Sequence, residues 1–458
     1  MPPRPRADAG GPAVRGGTVV TLDGGWRIGR WDVLTGADGR IAALTPPGRP
    51  RPGEETVDAR GMLVLPGLVQ AHVHLCQTLF RGLAEDRPLL RWLRERIWPL
   101  EAAHDAASLA ASARLGIAEL LLGGTTAILD MGTVRHTDAL FEAAEASGLR
   151  YSGGKAMMDA GAGAGVPAGL REGRAESLAE SERLAGRWHG AAGGRLRYAY
   201  CPRFVLSCST PLLREAGARA AAGGLLVHTH ASEQLDEAAT VRRLTGRSNI
   251  AALAALGLAG PNACLAHCVW PEPDELEILA GGGATVVHCP SSNLKLGSGI
   301  APLAAFVARG INVALGADGA PGNNRLDGWE ELRLAGLLSK VQAGVAAVPA
   351  RSILALATRG GARALGLDGE IGSVEVGKQA DLAVVDLRGP HAAGFDDEGP
   401  EDVYTRLVYG ARASDVRTVL IGGRVVVRDG RLLSLDRDDV VRTAREQRAR
   451  LLERVRLP

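Results

Sequence analysis

The chain has 458 residues, 46% apolar and 23% charged, with Lys+Arg 53 against Asp+Glu 51 and a formal net charge of +2. That balance offers no field for holding nucleic acid or an anionic membrane surface, and six cysteines with no CxxC pair make neither a disulfide scaffold nor a zinc knuckle. No run of roughly 18 uncharged apolar residues marks a membrane span, and MPPRPRADAGG lacks the apolar stretch of a signal peptide, so a soluble cytoplasmic protein is expected.

After a Pro/Arg/Gly-rich start come short β-rich runs at Gly17–Leu22, Trp31–Leu34, Arg40–Leu44 and Met62–Leu65, punctuated by Gly, Asp and Pro at hairpin-like spacing. The middle of the chain alternates between short apolar runs that end in polar residues and Ala/Leu/Glu/Arg-rich helical stretches. Strand ends read at 68–74, 125–132, 151–159, 196–203, 225–230, 264–268, 285–289 and 312–318. Eight strands with helical spacers over about 250 residues have the size and rhythm of a barrel. The β-rich character returns at Ala380–Asp386 and at Val416–Arg428, where IGGRVVVRDG reads as a two-stranded ribbon. The expected fold class is α/β: a (β/α)8 TIM-type barrel over 67–369 plus a small β-sandwich built from both chain termini, 1–66 and 370–435. The charge-rich segment Asp436–Pro458 reads as a C-terminal packing helix.

Polar residues gather at the strand ends, where barrels of this kind place their active sites. His72-x-His74 closes the first strand, and residues two apart on a strand face the same side. His228 and His230 repeat the spacing on the fifth strand, His267 ends the sixth and Asp318 ends the eighth. Three imidazoles and one carboxylate from separate strand ends suit Zn²⁺ or a similar divalent metal. His228, one layer below His230, reads as a barrel-filling side chain. Glu233 follows His230 on the loop above, within reach of a water or a substrate, and its competing role is a cap on the helix Gln234–Leu244. Binuclear hydrolases of this architecture usually need a bridging ligand, often a lysine at the fourth strand. That strand ends Tyr200-Cys201-Pro202-Arg203 and Lys155 is on the third, so one metal per chain is expected. The excursion Cys76–His104 is too long for an ordinary βα loop and reads as a lid carrying Trp92 and Glu101.

These motifs resemble the amidohydrolase superfamily, in the mononuclear branch with cytosine, guanine and adenosine-type deaminases. Pro66-Gly-Leu-Val-Gln-Ala-His72-Val-His74 resembles its first-strand motif. His230-Ala-Ser-Glu233, Leu265-Ala-His267-Cys-Val, His288-Cys-Pro-Ser-Ser-Asn-Leu-Lys-Leu and Leu315-Gly-Ala-Asp318-Gly resemble later ones, and the stretch from Glu370 to Asp381 resembles the return into the sandwich. The resemblance implies His72, His74, His230 and Asp318 as metal ligands, with Glu233, His267 and Asp318 catalytic. Arg81-Gly-Leu-Ala-Glu-Asp86, Trp92-Leu and Ile97-Trp-Pro-Leu-Glu101 look like the deaminases of 5′-modified adenosines, those of 5′-deoxyadenosine above all, through HLCQTLFRG, IWPLEAAHD, CPRFVLSC, AHCVW and GADGAP. In that group the Glu of the WPLE-type motif holds the ribose hydroxyls, a role that would fall to Glu101, with Trp92 covering the sugar or 5′ group. Gln77, Arg203 and Phe204 instead resemble guanine deaminases, where they grip the purine.

The resemblance therefore implies a hydrolytic deaminase of adenosine-type nucleosides, of the 5′-deoxyadenosine, 5′-methylthioadenosine or S-adenosylhomocysteine class, that yields the inosine analogue and ammonia. One Zn²⁺ per chain is expected, and His/Asp ligation suits Fe²⁺ or Mn²⁺ as well. The metal activates water, Asp318 takes the water proton, Glu233 protonates the ring nitrogen beside the amino-bearing carbon, and His267 stabilises the incoming oxygen. The alternatives on this scaffold are a guanine deaminase and a triazine-type chlorohydrolase or aminohydrolase. The expected partner is a small-molecule purine nucleoside, with no nucleic acid and no membrane, and a homo-oligomer is compatible with the sequence. A cytidine-type zinc deaminase is excluded, since it needs H-x-E with P-C-x-x-C.

Overall fold

The computed structural model describes residues 10–161, 165–392 and 400–457. The chain opens with β1 (Ala13–Val20), β2 (Ile28–Thr35), β3 (Ile41–Thr45), β4 (Thr56–Asp58) and β5 (Leu63–Pro66). Strands β1 and β2 start earlier than the apolar runs suggest. Polar residues are carried inside them by pairing, as Arg15 Nη1 donates to the buried Asp32 Oδ2 at 2.6 Å.

The barrel follows: β6 (Leu68–Val73), β7 (Thr125–Met131), β8 (Arg150–Gly154), β9 (Ala156–Met157), β10 (Leu196–Pro202), β11 (Leu226–Ala231), β12 (Ala263–His267), β13 (Thr285–His288) and β14 (Val313–Leu315). All pair in parallel, and β14 returns to β6, which closes the ring. The third strand is not the single run read from the sequence. It breaks at Lys155, whose buried amino group turns away to Glu172. Closure brings β14 onto β6 so tightly that a Cβ on Gly316 would lie 2.5 Å from the His72 carbonyl oxygen, so only glycine fits there.

Small apolar side chains fill the barrel: Val69, Ala71, Leu129, Ala199, Cys201, Cys264, Val287 and Ala314 are all buried, most of them at alternate positions along their strands. The outward set, with Leu68, Ile128, Tyr151, Leu265 and Val286, packs under the helices. Along β6 the parity changes, because the register with β7 shifts between Gln70 and Val73. Val69 and Ala71 face the interior and Val73 faces the helices, so the bulge re-aims the end of the strand and brings His72 and His74 to the barrel mouth.

The chain returns through β15 (Leu382–Val385), β16 (Val416–Ile421), β17 (Arg424–Arg428) and β18 (Arg431–Leu432). β15 pairs with β5, so strands from both ends of the chain form one sheet in the order β18-β17-β16-β15-β5-β1-β2-β3, with β4 beside β1. The sheet wraps a core of its own, in which Val14, Val33 and Ile41 meet Leu382, Leu420 and Val425. Asp381 ties it to the barrel: Arg150 donates to both its oxygens at 2.8 and 3.0 Å, and Gly422 N donates at 2.7 Å. The C-terminal helix, Arg437–Glu453, packs on the helix Ala106–Leu122. No helix among the described residues is long and apolar enough to cross a membrane.

Candidate active site

One nitrogen of each of His72, His74 and His230 and one oxygen of Asp318 lie within 4.8 Å of one another at the barrel mouth. His72 Nε2 and His74 Nε2 are 3.2 and 3.3 Å from Asp318 Oδ1, and His74 Nε2 is 3.2 Å from His230 Nε2. Ligand atoms about 2.0–2.1 Å from a shared tetrahedral centre are separated by about 3.3 Å, so the spacing suits a cation.

The tautomers make the same point. His74 Nδ1 donates to the Met131 carbonyl at 2.8 Å and His230 Nδ1 to the Arg203 carbonyl at 2.7 Å. In neutral rings both Nε2 atoms then carry lone pairs, and two lone pairs facing each other at 3.2 Å repel unless a cation sits between them. The rings are neutral, because burial pushes His72 and His230 down and His74 to about 3. Burial opposes ionisation of Asp318, but the imidazoles packed around it, His72 first and then His74 and His267, hold it well below the usual carboxylate range. Three neutral imidazoles and an ionised carboxylate are the protonation states that a divalent metal requires. Lys155 has no part in this group.

Three residues have supporting roles that the sequence did not reveal. His228 is not mere barrel filling, since its Nε2 lies 2.7 Å from His72 Nδ1 and fixes that ring. Ser292 donates to Asp318 Oδ2 at 2.5 Å, and Asn293 Oδ1 meets His267 Nδ1 at 2.9 Å. Both come from the short helix Pro290–Lys295, inside the Cys-Pro-Ser-Ser-Asn motif that carried the signal. Asp318 and His267 have left-handed backbones, φ 61 and 74. By strand parity His267 would follow Leu265 toward the helices, and the turn instead carries its ring beside those of His72 and His230.

Glu233 is buried beside this group, its Oε2 3.5 Å from His267 Nε2 and its Oε1 accepting from Ser298 Oγ at 3.2 Å. Glu237 does the capping instead: its Oε2 accepts from the backbone N–H groups of Glu233 and Gln234 at 2.7 and 3.4 Å, at the start of the helix Leu235–Thr245. Burial pushes the Glu233 carboxyl up to about 7. Burial alone would lower His267, but the charges of Glu233 and Asp318 raise it.

A narrow cavity joins these groups to a second wall. Gln77, Trp92, Arg203 and Phe204 line it, together with Leu89, Leu93 and Leu296. The lid is helical over 89–102, with a wider turn at Leu93–Ile97 that accommodates Pro99. Glu101 does not line the cavity. It lies behind the wall, held by Arg203 and Gln77. A Cβ on Gly319 would meet Gln77 Oε1 at 1.9 Å, so the glycine after Asp318 makes room for the Gln77 side chain.

A closed parallel barrel with a cation-ready group and a protonatable carboxyl at its mouth defines a metal-dependent hydrolase. The amidohydrolase family model matches residues 63–426, and this chain belongs to that family. It is 39% identical to a 5′-deoxyadenosine deaminase of Methanothermobacter thermautotrophicus over 94% of this chain and 96% of that protein. It is 41% identical to a 5-methylthioadenosine/S-adenosylhomocysteine deaminase of Halobacterium salinarum over 95% and 96%. Among solved structures, an adenosine deaminase from Xanthomonas campestris with bound zinc superposes with a TM-score of 0.88 at 31% identity, covering 97% of this chain and 99% of the other. A zinc-complexed atrazine chlorohydrolase from Arthrobacter aurescens (TM-score 0.88, 27%, covering 95% and 100%) and an E. coli guanine deaminase (0.80, 28%, covering 91% and 99%) share the fold.

Proposed function

We propose that this chain is a metal-dependent deaminase of adenosine-type nucleosides, of the 5′-deoxyadenosine, 5′-methylthioadenosine or S-adenosylhomocysteine class, with Zn²⁺ as its metal. The observation that carries the reading is Glu233: a buried carboxyl near pKa 7, relieved of capping by Glu237 and placed beside His267 and the four-residue group. The names of the two relatives support the substrate class.

His72, His74, His230 and Asp318 would hold the cation, which when bound supplies a Lewis acid that makes water nucleophilic at neutral pH. Asp318, ionised and fixed by Ser292, accepts the proton of the attacking water. Glu233, half-protonated near neutrality, donates to the ring nitrogen beside the amino-bearing carbon, and ring aromaticity is lost as the oxygen adds. His267 Nε2, which has no hydrogen-bond partner among the described residues, faces the incoming oxygen. Proton delivery to the amino group then releases ammonia, and Trp92 with Leu89 and Leu93 keeps bulk water out.

A second reading, deamination of a free aminopurine such as guanine, is favoured by one specific feature: Gln77, Arg203 and Phe204 face the cavity while Glu101 lies behind it. Ammonia release from 5′-deoxyadenosine, 5′-methylthioadenosine, S-adenosylhomocysteine, adenosine and guanine, with chloride release from a chlorotriazine alongside, tests both. Turnover of the 5′-modified adenosines far above guanine is the expected result. The reverse order establishes the second reading, and chloride without ammonia overturns both.

A further inference from the structure

Behind the substrate wall lies a buried ion cluster. Arg203 donates to Glu101 through both terminal nitrogens, Nη1 to Oε2 at 2.5 Å and Nη2 to Oε1 at 3.1 Å, and Gln77 Nε2 donates to the same Oε1 at 2.8 Å. The side chains of Arg203 and Glu101 are 3% and 0% exposed. At that depth an unpaired guanidinium would confront any ligand with an uncompensated charge, whereas the pair is neutral. A guanidinium has five N–H groups, so the two bonds to Glu101 leave others for a ligand, while Gln77 Oε1 is a buried acceptor without a partner among the described residues. The wall thus offers donors and one acceptor with no net charge.

We propose that Glu101 is the specificity-determining counter-ion of this pocket. By neutralising Arg203 and fixing Arg203 and Gln77 in place, it selects uncharged purines over anionic ones without touching the substrate. This rests on the purine reading of the cavity. It makes Glu101 a positioning residue, unlike the ribose-holding role implied by resemblance.

The test is calorimetric binding of two purines of similar size to the metal-loaded full-length protein at pH 7: hypoxanthine, which is neutral, and urate, which is an anion. Wild type is expected to prefer hypoxanthine. Glu101→Gln keeps the size and one acceptor but removes the charge. It should shift the preference toward urate by at least ~10-fold, the gap between a neutral and a charge-assisted hydrogen bond. Arg203→Gln, with Glu101 retained, should shift it at least ~10-fold the other way. Glu101→Asp keeps the charge and should keep the wild-type preference. A structural role alone would weaken both ligands alike, so an unmoved ratio in a variant whose circular dichroism and metal content match wild type overturns the proposal. The variants have opposite expected signs, so either one decides it. If neither purine binds wild type while a 5′-modified adenosine is still deaminated, this wall does not select the base by charge and the proposal falls alone; if no purine base or nucleoside is bound or deaminated, the purine reading falls with it.

Discussion

Two of the three imidazoles on the metal side are aimed by backbone carbonyls, Met131 for His74 and Arg203 for His230. On the opposite wall Arg203, Glu101 and Gln77 aim one another through side chains alone. A carbonyl is present whatever the residue, so the first kind of support survives substitution and the second does not. The metal side is built to stay constant and the substrate side to be rewritten.

The largest expected effect lies where chemistry depends on one carboxyl. Glu233→Gln should lower kcat by about 10²–10⁴ while fold and metal content hold, as read by ammonia release and metal analysis. Near-wild-type turnover would remove Glu233 from the reaction and leave the metal side without its acid. Next comes the exception on the metal side, His72, which is aimed by a side chain. His228→Ala should weaken metal binding about 10–100-fold in a chelator competition. Unchanged affinity would show that side-chain aiming is dispensable there.

On the substrate side, Gln77→Ala should lower kcat/KM about 10-fold through KM, with kcat and metal content unchanged. A fall in kcat with KM constant would mean that the two walls are not separable. The smallest effect concerns Glu331, which ties the turn bearing Ser292 and Asn293 to the loop after Asp318. It accepts from Ser291 N at 3.1 Å and Asn323 Nδ2 at 2.8 Å. Burial pushes this carboxyl from 4.5 up to about 8. The folded state therefore keeps a proton that the unfolded state releases, and stability should fall as pH rises from about 4.5 to about 8 and then level off. Glu331→Gln should flatten that part of the pH profile by about 1–3 °C in Tm. Parallel profiles for the two proteins would place the pH dependence elsewhere.

The barrel and the metal group were legible because both depend on local pattern: apolar runs of strand length, and polar residues at their ends. Strand spacing put His72 with His74, and His228 with His230, on common faces. It could not show the bulge before Val73 or the left-handed backbones of His267 and Asp318, which arise only when neighbouring strands close the ring. His228 read as core because its partner, His72, is 156 residues away. The sequence put Glu101 in the excursion after the first strand, but its place behind the cavity wall depends on the fold, which brings Arg203 against it from 102 residues away. Glu237 could have been read as the cap, four residues after Glu233 at the start of a helix.

Arg203 belongs to both walls at once: its carbonyl holds the His230 ring, and its side chain lines the cavity. The two functions use different bonds of one residue and are inherited separately. A single codon change at position 203 redraws the ligand surface while the carbonyl that steadies the neighbouring imidazole is copied unaltered. Position 203 is therefore a natural place for a duplicated copy of this gene to acquire a new substrate without first losing its chemistry, and the first position to randomise when redirecting the protein to another ring system.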